Sequence, residues 1–198
     1  GSTEASLFPV ASSIMEASLP AGTYMHFDLA GVSVFDAGAD NAVPRHGPIF
    51  SALGKLAFGF YDKPNAAFGQ DSLEKLKSYT QVWESPEKGI ENVLVKQIPI
   101  AVVRRFLDEV KDRSDYPAVG TYDPAAGDAD VAALAIKVLK ARKGEAYGYA
   151  AMLIAQCQTA AELPTTIREI LEVVHKTVCA VPEEIAAPVP GDFEDLLG

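Results

Sequence analysis

The chain of 198 residues carries a formal net charge of −10 at pH 7, and 48% of its residues are hydrophobic. This length is enough to bury a sizeable core in one ordinary domain, and the balanced composition excludes a disordered chain. Two cysteines are too few for a disulfide framework, and no apolar run approaches the ~20 residues of a membrane-spanning helix. We therefore expect a soluble protein of the cytoplasm or another intracellular compartment, without membrane contact.

The negative charge is concentrated at the two ends of the chain. Residues 1–44 hold five acidic residues and no Lys or Arg, and residues 177–198 hold five more acids, again without a base. All 17 basic residues therefore lie in 45–176, where they balance the remaining 17 of the 27 acids. Because this middle part is neutral, the overall charge says little about what it binds.

The first part of the chain predicts an N-terminal arm followed by a small β region. Residues 1–20 are rich in Ser and Ala and are interpreted either as an arm, which could be disordered, or as a short helix. Residues 24–35 are enriched in β-branched and aromatic residues and predict two short strands, or one strand with a break. Residues 50–61 change from helical spacing to alternation around Gly59, which predicts a helix that runs into a strand.

Helical patterns become clearer from residue 71 onward. Residues 71–74 resemble a capping box and predict a helix whose apolar face extends to Trp83. Residues 90–98 are interpreted as a strand, and Pro99 is placed to begin another helix, where its missing N–H costs nothing.

A bundle of three or more helices is predicted for the C-terminal half. After a loop at residues 114–127, a helix over 128–143 begins with acids and ends with bases, which complements the helix dipole. A second helix is expected over residues 145–160, and a third follows Pro164.

These elements predict an α+β fold with a small β region in the N-terminal half and the helical bundle in the C-terminal half. We expect residues 1–20 to be the arm and residues 21–180 to be a single globular domain. Residues 181–198 are interpreted as a Pro/Ala linker followed by an acidic tail.

The tail carries the clearest functional pattern. Phe193, Leu196 and Leu197 are spaced at i, i+3 and i+4, as on one face of a short helix that docks in a partner's groove. Glu194 and Asp195 would steer this face toward a basic rim. The segment resembles acidic activation-type helices and aromatic-x-x-aliphatic adaptor motifs. It also resembles the partner-recruiting tails of single-strand DNA-binding proteins, although it ends in glycine rather than in an aromatic carboxylate. We expect these five residues to bind another protein.

His26, Asp28 and His46 are the best candidate metal ligands. Side chains alternate along a strand, so His26 and Asp28 would share one face. With His46 they would supply the two imidazoles and one carboxylate of a facial triad. The pattern looks superficially like that of the non-haem iron oxygenases, but the separation of Asp28 from His46 is short and no many-stranded barrel is predicted. The alternative is a set of ordinary polar residues at a strand edge, and we expect no cofactor.

A second cluster is formed by Cys157, His175 and Cys179. His175 and Cys179 lie one helical turn apart and could reach one zinc ion together with Cys157, but a fourth ligand is missing. A single bridge between the two cysteines and two buried free cysteines both remain open.

Basic side chains on the predicted helices suggest a nucleic-acid interface as an alternative. Tyrosines nearby in sequence could stack on bases, whereas the simpler interpretation is that of solvated helix faces. The six basic candidates are Arg104, Arg105, Lys137, Lys140, Arg142 and Lys143.

No catalytic signature is present. The spacing of Gly120 and Gly127 lacks the Lys-Ser/Thr of a phosphate-binding loop, and no Gly-x-Ser-x-Gly elbow occurs. We therefore expect a non-enzymatic protein-binding or assembly protein, such as an adaptor or a viral or phage accessory protein, whose tail docks on a partner. A nucleic-acid-binding accessory protein is the first alternative, and a small metal-dependent enzyme is the second.

Overall fold

The computed structural model describes residues 1–64, 66–144, 146 and 148–180. Within these residues the chain forms eight α-helices and one two-stranded parallel sheet, so the predicted α+β class is confirmed. The elements in chain order are α1 (Ser2–Ser18), α2 (Val43–Ala52), β1 (Phe58–Tyr61), α3 (Gln70–Leu76), β2 (Gln81–Glu84), α4 (Ile90–Gln97), α5 (Ile100–Val110), α6 (Asp128–Ala141), α7 (Tyr149–Ala155) and α8 (Thr165–Val178).

Helix α1 is part of the core. Leu7, Ala11 and Met15 recur every four residues and are buried together with Phe8, so one apolar face of the helix points inward. This face packs against α7 and α8. Of the two interpretations of residues 1–20, the structure therefore shows the helix and not the arm, because the apolar face of this helix is buried in the core.

Residues 23–39 connect α1 to α2 by turns, so the strands predicted over 24–35 are wrong. Tyr24 and Phe27 are buried in the core and anchor the connection. The turns are closed by backbone hydrogen bonds within the segment, such as Val32 N–H to the Phe27 carbonyl at 2.8 Å. The aromatic residues here serve core packing, and β-propensity was misleading because it reflects burial as much as strand pairing.

The sheet pairs β1 and β2 in parallel, with Phe58 opposite Gln81 and Tyr61 opposite Glu84. The predicted change from helix to strand across residues 50–61 is confirmed by α2 and β1. The helix predicted to reach Trp83 is instead α3, which ends at Leu76, and Trp83 lies in β2.

Residues 90–98, predicted as a strand, form helix α4. Ile90, Val93 and Leu94 are buried and follow the i, i+3, i+4 spacing of a helix face. This spacing outweighs the β-propensity of the Ile and Val side chains because tertiary packing overrides local preference.

The C-terminal half is the predicted helical bundle. Helix α5 begins after Pro99 as expected, and α5 packs against α6 and α7. At the centre, the rings of Phe106 and Tyr149 meet edge to face with 6.1 Å between centroids. Helix α7 is shorter than the predicted 145–160. In the described part of the chain, no helix is both long and apolar enough to cross a membrane.

Candidate binding cleft

The structure does not assemble the predicted metal ligands into one site. His26 Nδ1 accepts the backbone N–H of Asp28 at 3.2 Å, and His26 Nε2 lies 3.1 Å from the Pro9 carbonyl. His46 lies on α2, with its ring 5.0 Å from that of Phe35. Among the residues that the structure describes, no group of three or more His, Cys, Asp or Glu side chains could hold a metal ion. The structure therefore does not bring the three predicted ligands together, since the strand on which the prediction depended does not form.

The second predicted cluster is also dispersed. Cys157 and Cys179 are both free, so the possible bridge between them is not formed. His175 Nε2 accepts the Met25 N–H at 3.0 Å, and its ring stacks on that of Tyr24 with 4.6 Å between centroids. His175 therefore ties the α1–α2 connection to α8 instead of holding zinc.

The two cysteines should differ in reactivity. Burial raises the pKa of Cys157 from 9.0 to about 12, which lowers its thiolate fraction near pH 8 by about a thousandfold. We expect iodoacetamide at pH 8 to alkylate the half-buried Cys179 first, and Cys157 only slowly, as followed by peptide mass spectrometry. In guanidinium chloride both cysteines should react at similar rates. Equal rates in the folded protein would contradict this expectation.

The same shift has a consequence for alkaline stability. The thiol of Cys157 ionises near pH 9 when the chain is unfolded, but only near pH 12 in the folded protein. Its contribution to stability is therefore complete below pH 9 and is lost as the pH rises toward 12, by about 1.4 kcal/mol per pH unit at most.

Most of the predicted nucleic-acid-binding residues hold the fold together. Arg104 donates to the carbonyls of Pro124 and Ala126 at 3.0 and 2.9 Å and pairs with Asp128 at 2.6 Å. It thereby fixes the loop before α6 against α5.

Three further basic candidates are engaged in the same way. Arg105 donates to the Gln156 carbonyl at 2.8 Å, and Arg142 donates to the Asp115 carbonyl at 2.5 Å. Lys143 Nζ lies 2.8 Å from Glu91, a carboxylate that is only 1% exposed. The other two candidates are exposed on α6, so the structure uses four of the six proposed phosphate-binding groups for internal contacts. The two exposed candidates are Lys137 and Lys140.

A cleft of about 420 Å³ opens between α1, the α1–α2 connection, α2, the sheet and α8. We call it the aromatic cleft because rings from five parts of the chain form its walls. On one wall Phe58 stacks near Trp83 at 6.3 Å, and on another Phe60 meets Phe8 edge to face at 6.3 Å. The rings that define it are Phe8, Phe35, Phe50, Phe58, Phe60 and Trp83.

The mouth of the aromatic cleft exposes large apolar side chains. Phe35 is 59% exposed and contacts the ring of Phe50 at 5.8 Å. Leu56 is 59% exposed and lines the cleft. Ile49 on α2 and Leu53 directly after this helix are 54% and 64% exposed, although neither lines the cleft. We call these four residues the apolar mouth. Clusters of exposed large apolar side chains are typical of interaction sites.

Helix α2 is fixed over the sheet by Tyr79. The Tyr79 hydroxyl donates to the Val43 carbonyl at 2.6 Å. A Cβ atom at Gly47 would lie 2.5 Å from the Tyr79 ring, so the close approach of helix and ring requires glycine. The position of α2, and with it the width of the cleft, therefore depends on this contact.

The walls of the aromatic cleft are mostly apolar or uncharged. Burial raises the pKa of both Tyr61 and Tyr79, so these phenols stay protonated at physiological pH. The charged side chains that line the cleft are Glu4, Lys55 and Asp62. With apolar walls and few polar groups, the cleft has the composition of a binding site.

The fold and the cleft define a small α+β protein with an open aromatic cleft. No protein-family model, curated protein or solved structure matches the chain.

The cleft residues were not predicted as a site from the sequence. The signal was the density of Phe and Leu within residues 50–61, together with Phe35, in a region punctuated by Gly and Pro. The predicted partner-binding residues 193–197 lie outside the described residues.

Proposed function

We propose that this protein is a non-enzymatic binding protein that holds an amphipathic segment of a partner protein in the aromatic cleft. The observation that supports it is the apolar mouth, whose four side chains are 54–64% exposed. Leaving such a surface in water is unfavourable by roughly 25 cal/mol per Å² of apolar area. A partner that covers it therefore gains binding energy.

The shape of the site favours a peptide segment over a small molecule. Small ligands are mostly enclosed by their sites, and an occupant confined to the cleft would leave Ile49 and Leu53 uncovered, since these two residues do not line it. A helix about 10 Å across would fill the cleft with two or three apolar side chains and cover the mouth with their neighbours.

The charges at the rim indicate the chemistry of the partner. Residues 41–61 contain Arg45 and Lys55 and no acid, and both side chains are exposed. Glu4 and Asp62 also line the cleft, so acidic residues of the partner would find cations only at Lys55 and Arg45, on the α2 side. The occupant that fits is thus an amphipathic segment whose acids lie on that side.

The acidic tail is a second proposed contact element. Residues 193–197 combine apolar anchors with acids, and we propose that they can dock on another protein. A protein with both a receiving cleft and a docking tail would work as an adaptor.

Leu56→Asp tests the role of the cleft. The 198-residue chain carrying F193S/L196S/L197S, which we call the tail-serine variant, lacks the apolar tail residues that could compete for the cleft. Peptides are selected on this variant from a random 12-residue phage library. Trp83 is the single tryptophan and lines the cleft, so its fluorescence reports binding of Trp-free synthetic peptides. Adding Leu56→Asp should weaken binding at least tenfold (about 1.4 kcal/mol), because it places a charge where apolar contact forms.

Leu29→Asp is the matched control. Leu29 is 73% exposed and does not line the cleft, so the same change there should leave the affinity within twofold. Both variants should keep the melting temperature of the parent. The proposed function is wrong if no peptide is enriched, or if the selected peptides bind the Leu56→Asp chain as tightly as its parent.

A further inference from the structure

We infer that the aromatic cleft is the docking site for the chain's own residues 193–197, so that the free protein is closed and a partner segment must displace its tail. The inference rests on the proposed function of the cleft. The tail would be the occupant of the free cleft, and its displacement would regulate the binding of the partner segment.

The tail begins at the cleft. Val174 and Val178 of α8 line it, and the described part of the helix region ends at Ala180, two residues beyond Val178. The twelve residues 181–192 then separate Ala180 from Phe193. A chain of this length can span up to about 40 Å, so residues 193–197 can reach the whole of the cleft and its mouth without any change in α8.

The apolar residues of the tail suit the cleft. Phe193, Leu196 and Leu197 supply one aromatic and two aliphatic side chains within five residues. The site that they would meet is lined by aromatic rings and has an apolar mouth that the described residues leave exposed. Docking of these three side chains would remove the apolar surface of the tail and that of the cleft from water in one contact.

The charges favour one arrangement. Asp192, Glu194 and Asp195 surround the tail anchors, and residues 181–198 contain no base. Lys55 lines the cleft and Arg45 is exposed on α2, which gives the tail acids partners on that side.

The cleft also contains two acids. Glu4 and Asp62 line it, and Glu4 Oε2 pairs with the N-terminal amine of Gly1 at 2.8 Å. The tail acids would therefore lie toward α2 and away from these two carboxylates.

Tethering makes even weak docking effective. A short linker gives an effective concentration of roughly 1 mM. If the tail alone bound the cleft with a Kd of about 100 µM, the cleft would be about nine-tenths occupied, and a competing segment would bind about tenfold more weakly. Displacement would also release the tail for contact with another protein.

The test compares full-length chains. Affinities of the selected peptides are measured through Trp83 fluorescence for the unaltered chain, for the tail-serine variant, and for I185S/V189S, which makes similar replacements in the linker. We expect the tail-serine variant to bind about tenfold more tightly than the other two. A synthetic peptide of residues 188–198 should also change Trp83 fluorescence of the tail-serine variant, and Leu56→Asp should abolish that change.

The outcomes separate the two proposals. Equal affinities for the unaltered chain and the tail-serine variant would overturn the inference and leave the proposed function standing. Failure of every selected peptide to bind the tail-serine variant would overturn the proposed function. Sedimentation velocity should show a monomer; a dimer that the tail-serine replacement dissociates would place the tail in the cleft of a second copy and overturn intramolecular closure.

Discussion

Replacing Lys143 with methionine should destabilise the protein by about 3 kcal/mol, because it leaves a buried carboxylate without its counter-charge. Glu91 stands in the first turn of α4 and is 1% exposed, and Lys143 follows α6. Burial works to lower the pKa of Lys143, but the hydrogen bond and charge of Glu91 outweigh it, so the pKa is raised overall. The magnitude lies at the low end for buried pairs because Lys143 is itself partly exposed.

Urea unfolding gives the measurement, read as a shift in midpoint at constant slope. Lys140→Met removes a similar charge from an exposed position in the last turn of α6 and should change stability by less than about 0.5 kcal/mol. The double variant E91M/K143M should recover most of the loss, because it removes both charges together. If Lys143 served only to bind nucleic acid, K143M would leave the unfolding midpoint unchanged.

Leu7→Ala should cost about 3 kcal/mol, because it opens a cavity where α1 meets the bundle. Leu7 is fully buried, and the helix around it packs against α7 and α8. If residues 1–20 were an arm outside the core, Leu7→Ala would leave the free energy of unfolding unchanged. The measured stability therefore distinguishes an arm from a core helix.

Thermal and urea unfolding of Leu7→Ala are compared with those of Ser13→Ala, an exposed position on the same helix. We expect the control to stay within about 0.5 kcal/mol of the parent. A Leu7→Ala protein as stable as its control would show that α1 is not part of the cooperative core.

The later helices could be predicted because their signals are local. Pro99 and Pro164 precede helices whose apolar residues recur at i, i+3 and i+4, and these patterns correspond to α5 and α8. Helix α4 was misread because its Ile and Val residues favour strands as single residues, although their spacing is helical. The sequence did not decide whether residues 1–20 form an arm or a helix, because small and polar residues interrupt the apolar face of α1.

The cleft could not be predicted because no local pattern describes it. Phe8, Phe35 and Trp83 come from α1, a connection without regular structure, and β2, and only the folded chain brings them to one cavity. The predicted metal triad failed for the related reason that it needed a strand in that connection. The basic residues illustrate a third limit, since a pattern of Arg and Lys does not distinguish a phosphate contact from a bond to a backbone carbonyl.

The contact between Gly47 and Tyr79 provides a criterion for recognising distant relatives of this protein. Because the ring fills the space of a side chain at position 47, any residue larger than glycine there requires a change at position 79 if α2 is to keep its place. Homologues that share the cleft should therefore pair glycine with a large aromatic residue at these positions, or change both together. Such covariation would identify members of the family even where the rest of the sequence has diverged.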